Sequence, residues 1–414
     1  MAVDPAKNKI TETTATSATR FDGSPAEVFI TFLKLGLTSF GGPIAHLGYF
    51  RLELVEKRGW VSASQFGQLL AICQFLPGPA SSQLGFSLGL LRAGWPGAVA
   101  AFVAFTAPSA LLLIAFAAFL PYLSGSVGDA SVHGLKIVAL AVVAQGVLGM
   151  LRQLCPDAQR ITIATLAAVV VLTLGSAMVQ LLVVAGGAFA GALLCHSVEP
   201  GSDDDLQPNY GARAGWLLLA IFSLLLFGLP LAAGGQPGLV AVADSFYRSG
   251  ALVFGGGHVV LPLLEESVVA GGWIPQDRFL AGYGAAQAVP GPMFSFAAYL
   301  GLILPGGQGG IAGASVALLS IFLPGFLLVA GVLPLWRLVS GGVVPARAIA
   351  GVNAAVVGLL GAALYDPIFV TAVRGPVDLA IGIVALMLLL AWRLSPLIVV
   401  AWCVAASVVA GAPI

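Results

Sequence analysis

Long apolar segments recur along this chain, and they constrain its fold more than any other feature. From residue 66 to the C-terminus, apolar runs of about 17 to 25 residues follow one another, and each can cross a hydrocarbon layer of about 30 Å as an α-helix. Only 9% of the 414 residues are Asp, Glu, Lys or Arg, and 59% are hydrophobic. The runs do not alternate polar and apolar residues as barrel strands do. The sequence therefore predicts an all-α polytopic membrane protein and excludes a soluble globular enzyme.

The polar residues and the cysteines give little indication of other partners. The formal net charge is zero, so no nucleic acid partner is expected. Cys73, Cys155, Cys195 and Cys403 lie far apart without a CxxC spacing, so the sequence predicts neither a zinc site nor a redox pair. No metal and no cofactor is expected.

The chain repeats its own sequence. Lys34 and the Phe-Gly-Gly sequence that begins at Phe40 recur 214 positions later as Arg248 and the Phe-Gly-Gly sequence that begins at Phe254. After the loss of one position, further matches follow in the same order: Gly59-Trp60 with Gly272-Trp273, Gln74 with Gln287, Pro77-Gly78-Pro79 with Pro290-Gly291-Pro292, and Ser82 with Ser295. A shared order of rare residues over this length indicates an internal duplication.

The repeat and a polar linker divide the chain into five segments. These are a disordered cytoplasmic tail over 1–26, a first membrane repeat over 27–195, a polar linker over 196–213, a linking transmembrane helix over 214–236 and a second repeat over 237–414. The linking helix has no counterpart in the first repeat. The chain therefore crosses the membrane an odd number of times before the repeat restarts, and we expect the second copy to be inverted.

The distribution of basic residues gives the orientation. Lys and Arg collect on cytoplasmic loops, and Arg92, Arg152 and Arg160 fall on loops that share one face. The N-terminus is therefore expected inside and the C-terminus outside, with Arg374 on the wrong side. If the Lys34, Arg248 and both Pro-Gly-Pro segments cross fully, the total is thirteen spans; if all four are re-entrant, it is nine. Arg58 and Arg92 on one face favour a re-entrant first Pro-Gly-Pro segment.

The two Pro-Gly-Pro sequences interrupt apolar segments at matching positions. Such a break leaves backbone groups unpaired, so it persists where it faces protein or a wet cavity. Proline suits the first turn of the half-helix that follows, and the next free N–H groups then point into the break with the positive end of the helix dipole. We expect an anion cradle at Pro77, Gly78, Pro79, Ser81 and Ser82, and at Pro290, Gly291, Pro292 and Ser295. The alternative is that these residues only kink packed helices.

Lys34 and Arg248 lie at equivalent positions inside apolar segments. A cation near the bilayer centre costs about 2.5–3.5 kcal/mol, so it usually faces a cavity or a partner and marks an ion path. One cation from each repeat would neutralise a dianion held between them. The alternative is that both side chains snorkel to nearby headgroups.

Other candidate binding residues flank the same motifs. Glycines allow a backbone to approach an oxyanion closely, although they also allow tight helix crossing. Gln74 and Gln287 are neutral donors one turn before each break. Matching interrupted segments in two inverted halves indicate a transporter's substrate site near the midplane. The remaining candidates for that site are Ser39, Gly41, Gly42, Gly255, Gly256 and Gly257.

Longer stretches around these motifs resemble the chromate ion transporter family. In the first half, the resemblance is carried by Phe40-Gly41-Gly42-Pro43-Ile44-Ala45-His46, Glu56-Lys57-Arg58-Gly59-Trp60 and Gln74-Phe75-Leu76-Pro77-Gly78-Pro79. In the second half, it is carried by Phe254-Gly255-Gly256-Gly257-His258, by residues 282–292 and by Ala298-Tyr299-Leu300-Gly301. The resemblance runs from about residue 27 to the end, as in the long two-domain members.

This resemblance implies export of chromate across the bacterial inner membrane, driven by the membrane potential or a proton gradient, with chromate resistance as the result. Chromate is a tetrahedral dianion like sulfate, so sulfate is the expected competitor. No GxxxxGK[ST] loop is present, which disfavours direct use of ATP. The alternatives are a sulfate or molybdate carrier, an anion channel and, least favoured, an intramembrane enzyme such as a chromate reductase. Besides the lipid bilayer, a homodimer partner is the default expectation for a symmetric membrane assembly.

Overall fold

The computed structural model describes residues 23–39, 42–122, 126–174, 177–195, 208–253, 260–336 and 343–411. These ranges fold into α-helices joined by short turns, which confirms the predicted all-α membrane class. The first half contains α1 Pro25–Thr38, α2 Gly42–Phe50, α3 Ala63–Phe75, α4 Ala80–Phe119, α5 Ser126–Leu154, α6 Ala158–Leu174 and α7 Ala177–Leu194. The remainder contains α8 Ala212–Ala233, α9 Leu239–Ala251, α10 Val260–Glu265, α11 Gln276–Ala288, α12 Phe296–Ile303, α13 Gly310–Val332, α14 Val343–Ala363, α15 Pro376–Leu390 and α16 Pro396–Gly411.

Local sequence signals explain where the first helices begin. The Ser24 hydroxyl accepts the backbone N–H of Glu27 at 3.1 Å, and Pro25 occupies the first position of α1. Ser62 and Gln65 form a reciprocal capping box at the start of α3. Both α2 and α10 continue into a π-helical stretch, over Arg51–Lys57 and Glu266–Ala270.

The segment after each Pro-Gly-Pro sequence consists of two helical parts. In α4 the two parts meet at Ala93 and Gly94, whose backbone angles are not helical. In the second half, α12 and α13 are separate helices. Both repeats therefore contain the series of a short helix, a break, a second short helix and a long helix. The short helices α3 and α11 have 13 residues each, about 20 Å at 1.5 Å per residue, which is too short to cross the hydrocarbon layer.

Glycine contacts pack equivalent helices together in each half. A Cβ on Gly36 in α1 would lie 2.8 Å from the carbonyl oxygen of Phe105 in α4. The counterpart in the second half is Gly250 in α9, which packs in the same way on the carbonyl oxygen of Ile321 in α13. Small residues allow this close approach of helices in a membrane protein.

Helices from opposite halves also exchange contacts. Gly351 in α14 packs on Gly187 and Gly191 in α7, and Gly134 in α5 packs on Cys403 in α16. Aromatic rings join the halves near the breaks, since the Phe86 ring stacks on Phe326 with centroids 4.5 Å apart. Helices of each half therefore pack directly against helices of the other half.

The surface agrees with a membrane environment. Among the described residues, five helical segments are long and apolar enough to cross a membrane: Ala80–Phe119, Val127–Leu154, Ala212–Ala233, Gly310–Leu335 and Ala346–Ala372. Large apolar side chains on them face away from the protein; Leu111 is 65% exposed and Leu224 is 71% exposed. Such exposure is expected where lipid covers the protein. The linking helix α8 packs on α13, where Gly215 meets Gly331.

Candidate functional site

The two Pro-Gly-Pro sequences lie between helices, as the sequence predicted. Gly78 and Gly291 have φ angles of 126° and 102°, a region that only glycine adopts readily. Pro79 and Pro292 immediately precede the helical turns that follow, one residue before the predicted first-turn position. The missing N–H of proline still costs nothing there, because the preceding break supplies no helical acceptor. The first N–H groups of a helix have no acceptor within that helix, whereas the later N–H groups of Gln83 and Ser295 donate to the carbonyl oxygens of Pro79 and Pro292.

Reciprocal backbone hydrogen bonds tie each break to the opposite half. The N–H of Gly78 donates to the carbonyl oxygen of Val253 at 2.6 Å, and the N–H of Gly291 donates to the carbonyl oxygen of Ser39 at 3.0 Å. In the sequence repeat, Gly78 corresponds to Gly291, and Ser39 corresponds to Val253. The two bonds are thus the same contact made twice with the halves exchanged. A reciprocal contact of this kind is typical of a two-fold relationship.

Side chains strengthen the same contacts differently in the two halves. Beside the first break, the Gln83 amide donates to the carbonyl oxygens of Pro77 and Gly325, both at 3.0 Å. Beside the second break, the hydroxyl oxygens of Ser109 and Ser295 lie 2.6 Å apart. Ser109 and Gly325 are equivalent, because each follows the proline inside its long helix. Each break therefore packs on the long helix of the other repeat.

Several buried hydroxyl groups near the breaks keep unused hydrogen-bonding capacity. Within the described ranges, the hydroxyl oxygens of Ser39, Ser82 and Thr106 are buried and make no hydrogen bond. Polar groups buried without a partner cost free energy, so their retention calls for a reason such as a ligand. Ser39 adjoins the second break through its carbonyl, and Ser82 follows the first break.

Lys34 lies at a half-exposed position and is paired with a carboxylate. Its ammonium nitrogen is 3.3 Å from both carboxylate oxygens of Glu53, whose side chain is only 9% exposed. Arg58 and Lys57 approach the same carboxylate at 3.1 and 3.6 Å. Burial by itself raises the pKa of Glu53, but hydrogen bonds from Arg58 and Lys34 outweigh it and hold that pKa below its usual range. Three cations thus surround one anion.

Arg248 is paired in the same way. Its guanidinium nitrogen lies 2.8 Å from Oδ2 of Asp244, one turn earlier on α9. The Arg248 side chain is half-exposed and that of Asp244 is buried. Neither predicted cation is therefore an isolated charge, since each has a buried carboxylate as its partner. Each of these partners lies in the same half as its cation.

The other predicted site residues differ in their surroundings. Ser81, Gln287 and the Pro290, Gly291 and Pro292 backbone are buried, whereas Gln74 is exposed. Gly42 begins α2. Gly41, Gly255, Gly256 and Gly257 lie outside the described residues.

Sequence reasoning missed Gln83, Ser109 and Asp244 as site residues, and it favoured a solvated loop position for Glu53, whose side chain is only 9% exposed. One signal was available for Ser109, because Pro108-Ser109 and Pro324-Gly325 continue the internal repeat.

A second basic group lies near the Lys34 group. The guanidinium groups of Arg58 and Arg92 lie 5.9 and 5.3 Å from the Trp60 ring centre. Arg92 also forms an ion pair with Glu27 at 3.2 Å, and Glu27 accepts the Trp60 indole N–H at 3.2 Å. The turn before α3, the end of the first part of α4 and the start of α1 therefore meet at one place.

Comparison with known proteins supports one family. The family model described as chromate transporter matches residues 26–192 and 240–411, which is most of the chain. A chromate transport protein of Pseudomonas aeruginosa is 30% identical over 385 residues, covering 89% of this chain and 87% of that protein. A probable chromate transport protein of Synechococcus elongatus is 30% identical over 300 residues, covering 72% of each.

A third relative is the chromate transport protein of Cupriavidus metallidurans, which is 28% identical over 371 residues, 87% of this chain and 86% of that protein. No solved structure matches the chain. The family match covers both repeats and the motifs described above, and the helices are those of a membrane protein. The chain therefore belongs to the chromate transporter family.

Proposed function

We propose that this protein is a secondary transporter that exports chromate from the cytoplasm across the bacterial inner membrane and thereby confers chromate resistance. The relatives named chromate transport proteins in Pseudomonas aeruginosa and Cupriavidus metallidurans support the substrate. The exchanged contacts of the two breaks are the observation that carries the mechanism, since they link each break to the opposite half.

The proposed arrangement is an inverted repeat whose two-fold axis lies in the membrane plane. The reciprocal bonds from Gly78 and Gly291 support a two-fold relationship, and the odd number of spans before the second repeat supports inversion. The contacts of Arg58 and Arg92 with Trp60 support a re-entrant hairpin, because the chain enters and leaves the segment at one place. Rocking of one repeat against the other would then expose the site to each side in turn.

The proposed substrate site lies between the two breaks. A buried dianion needs several hydrogen-bond donors and a countercharge. The N–H groups after Pro79 and Pro292 and the free hydroxyl groups of Ser39 and Ser82 supply donors. The further residues in this proposal are Pro77, Gly78, Ser81, Pro290, Gly291 and Ser295 of the breaks, Gly41, Gly42, Gly255, Gly256 and Gly257 beside them, and Gln74 and Gln287 before them.

Lys34 and Arg248 supply the countercharge in this proposal. Their present partners are the carboxylates of Glu53 and Asp244. An incoming dianion would compete with these carboxylates for the two cations. The carboxylates are the counterions of the two cations in the empty carrier, and chromate would displace them from Lys34 and Arg248.

The membrane potential is a sufficient driving force for export. Moving one elementary charge across the membrane is worth about 2.3 kcal/mol per 100 mV, so a dianion leaving a negative cytoplasm gains about 4.6 kcal/mol. A proton gradient is the alternative energy source.

A sulfate or molybdate carrier would use the same site chemistry, and an anion channel would use the same charges without alternating access. Homodimerisation remains an expectation.

Uptake into inverted membrane vesicles tests this function. Their outer surface is the cytoplasmic face, so export appears as uptake of labelled chromate. We expect saturable uptake that a tenfold excess of sulfate reduces without abolishing, on the order of a twofold effect or less. Complete suppression by that excess would indicate a sulfate carrier. Rates that rise linearly with chromate concentration would indicate a channel, and no uptake by vesicles that contain the folded protein would refute chromate transport.

A further inference from the structure

A group of charged residues joins the two halves away from the Pro-Gly-Pro breaks. The Nε2 atom of His133 lies 2.9 Å from Oδ1 of Asp378, and Lys136 forms an ion pair with Asp277. His133 and Lys136 belong to α5 in the first half, whereas Asp277 lies in the first turn of α11 and Asp378 in the first turn of α15 in the second. Both ion pairs therefore cross between the halves.

The backbone between His133 and Lys136 packs closely against helices of the second half. A Cβ on Gly134 would lie 2.8 Å from the carbonyl oxygen of Cys403 in α16. Gly284 in α11 packs directly on the carbonyl oxygen of Leu135. Four consecutive residues of α5 thus contact α11, α15 and α16, and the two halves cannot separate here without breaking both ion pairs.

The burial of the two pairs differs. The Lys136 side chain is 4% exposed and that of its partner Asp277 is 64% exposed, so this pair lies at the rim of the interface. His133 and Asp378 are 13% and 17% exposed. In the described part of the chain, Nδ1 of His133 is buried without a hydrogen-bond partner. In the neutral ring one nitrogen donates and the other accepts, so Nε2 can donate to Asp378 while Nδ1 keeps its lone pair.

The charges around His133 are balanced when its ring is neutral. The nearby cations are Lys136 and Arg374, and the nearby anions are Asp277 and Asp378, with the backbone N–H of Arg374 donating to Asp378 at 2.9 Å. Asp129 lies one turn earlier on α5 and is exposed. On α16 the residue that packs on this stretch is Cys403, through its backbone carbonyl, and its thiol is buried. Protonation of His133 would add one positive charge beside Asp378.

The cluster lies at the face that the charge distribution assigns to the outside. Lys136 follows Asp129, which lies near the start of α5, and Asp277 lies in the first turn of α11; the chain near both positions is poor in basic residues. The Lys34 and Glu53 group, in contrast, lies within the first half and at the opposite, basic face. Among the described ion pairs, these two link the halves, and both do so at the proposed outer face.

We infer that His133 and Asp378 form a proton-binding site that controls an outer gate of the transport path. This inference rests on the proposed function, because a gate of this kind belongs to a carrier that alternates between two faces. A proton from external water binds the His133 ring, and the resulting imidazolium is attracted to Asp378 across the interface. The protonated pair, with Lys136 and Asp277, then holds the outer face closed. When the proton is lost to water, only the ion pair between Lys136 and Asp277 holds the outer gate closed.

The gate can be tested by thiol labelling from the outside, without chromate. Ser109→Cys places a thiol at the second break, and Tyr122→Cys supplies a reference thiol at an exposed position of the outer loop. The four native cysteines are buried, and the chain without an added cysteine measures their background. The ratio of the two labelling rates by an impermeant maleimide is compared with the same ratio in His133→Gln at each pH, because a buried and an exposed thiol ionise differently. We expect that ratio to rise at least about threefold from pH 5.5 to pH 7.5.

Variants at His133 and at the second pair separate gating from folding. His133→Gln should give a high ratio at both pH values, and His133→Arg, with its fixed charge, a low one at both. Lys136→Ala should raise the ratio, and the exchange Lys136→Asp with Asp277→Lys should restore it. Equal pH dependence in the native protein and in His133→Gln, with both forms equally abundant in the membrane, would overturn the inference. Because the labelling needs no chromate, a pH-dependent gate in a protein that fails to transport chromate would refute only the proposed substrate.

Discussion

The backbone N–H of Gly78 donates to the carbonyl oxygen of Val253, 175 positions later in the chain, at 2.6 Å. Its counterpart in the internal repeat is the bond from Gly291 to Ser39 at 3.0 Å. These bonds hold an irregular backbone inside the protein, where lipid could not satisfy it. They also make the shape of each break depend on the position of the opposite half, which is the coupling that an alternating carrier needs.

Replacement of the break glycines should impair transport. Gly78 has a φ angle of 126°, and a Cβ there would lie 3.0 Å from the Cα of Gly325. Gly78→Ala therefore adds backbone strain of about 1–2 kcal/mol and a clash, and we expect a loss of transport of roughly tenfold or more. Gly67→Ala is the matched control, because Gly67 lies in α3 with open space around it. Similar initial rates of chromate uptake in both variants would contradict the role of the break.

The Lys34 and Glu53 pair can be tested by a double substitution. Lys34→Ala should abolish transport because chromate loses a countercharge. If the lysine binds substrate, Lys34→Ala combined with Glu53→Gln should be equally inactive, since neutralising the acid does not restore the cation. Recovered uptake in the double variant would instead mean that Lys34 only neutralises Glu53.

Glu53 should matter for stability as well. Its side chain is 9% exposed and lies within 3.6 Å of Lys34, Lys57 and Arg58. Glu53→Ala leaves these cations without their common partner, and we expect a loss of about 1–3 kcal/mol. Glu56 pairs with Arg51 where both side chains are more than half exposed, so Glu56→Ala should cost less than about 0.5 kcal/mol. Denaturation in detergent compares the two, and equal losses would show that the Glu53 group is not structural.

The hydroxyl pair of Ser109 and Ser295 should show energetic coupling between the halves. The two oxygens are 2.6 Å apart and Ser295 is fully buried. A double-mutant cycle with Ser109→Ala and Ser295→Ala should give a coupling free energy of about 0.5–1.5 kcal/mol. Additive effects on the unfolding free energy would argue against this contact.

Glu265 should make stability depend on pH. Burial, with the negative charges of Glu266 and Asp366 nearby, raises the pKa of Glu265 to about 7. A carboxyl group whose pKa is raised on folding destabilises the folded state above that pKa, and stability returns as the pH falls through 7 towards the ordinary value of 4.5. Glu265→Gln mimics the protonated form, so the apparent melting temperature should rise by about 1–3 °C at pH 8 and change little at pH 5.

Glu56→Gln is the control for that measurement. The carboxylate of Glu56 is exposed and lies in the equivalent stretch of the first half. Because exposed ion pairs contribute little to stability, we expect only a small change in melting temperature for Glu56→Gln. A rise of the same size for both variants at pH 8 would assign the effect to net charge rather than to the surroundings of Glu265.

Much of the architecture could be predicted from sequence, because the length of an apolar segment and the position of a helix break depend on residues that are close together in the chain. The long helices and the breaks at Gly78 and Gly291 follow from residues that are adjacent in the chain. The interaction partners of the site residues cannot be predicted in this way. The Ser109 and Ser295 contact joins positions 186 apart, and Lys136 and Asp277 are 141 apart, so tertiary packing alone brings them together. The sequence predicts that Lys34 faces a cavity or a partner, but it does not identify that partner, because Glu53 lies beyond α2, in another segment.

The potential dependence of chromate uptake by inverted vesicles tests the central claim most directly. The initial rate is measured at several imposed potentials for the native protein, Gly78→Ala and Gly67→Ala. The account predicts that an interior-positive potential accelerates uptake by the native protein and by Gly67→Ala, and that Gly78→Ala stays near the background of empty vesicles. An uptake rate that does not change with the imposed potential would contradict potential-driven export. A Gly78→Ala protein that takes up chromate as fast as the native protein would contradict the role of the breaks.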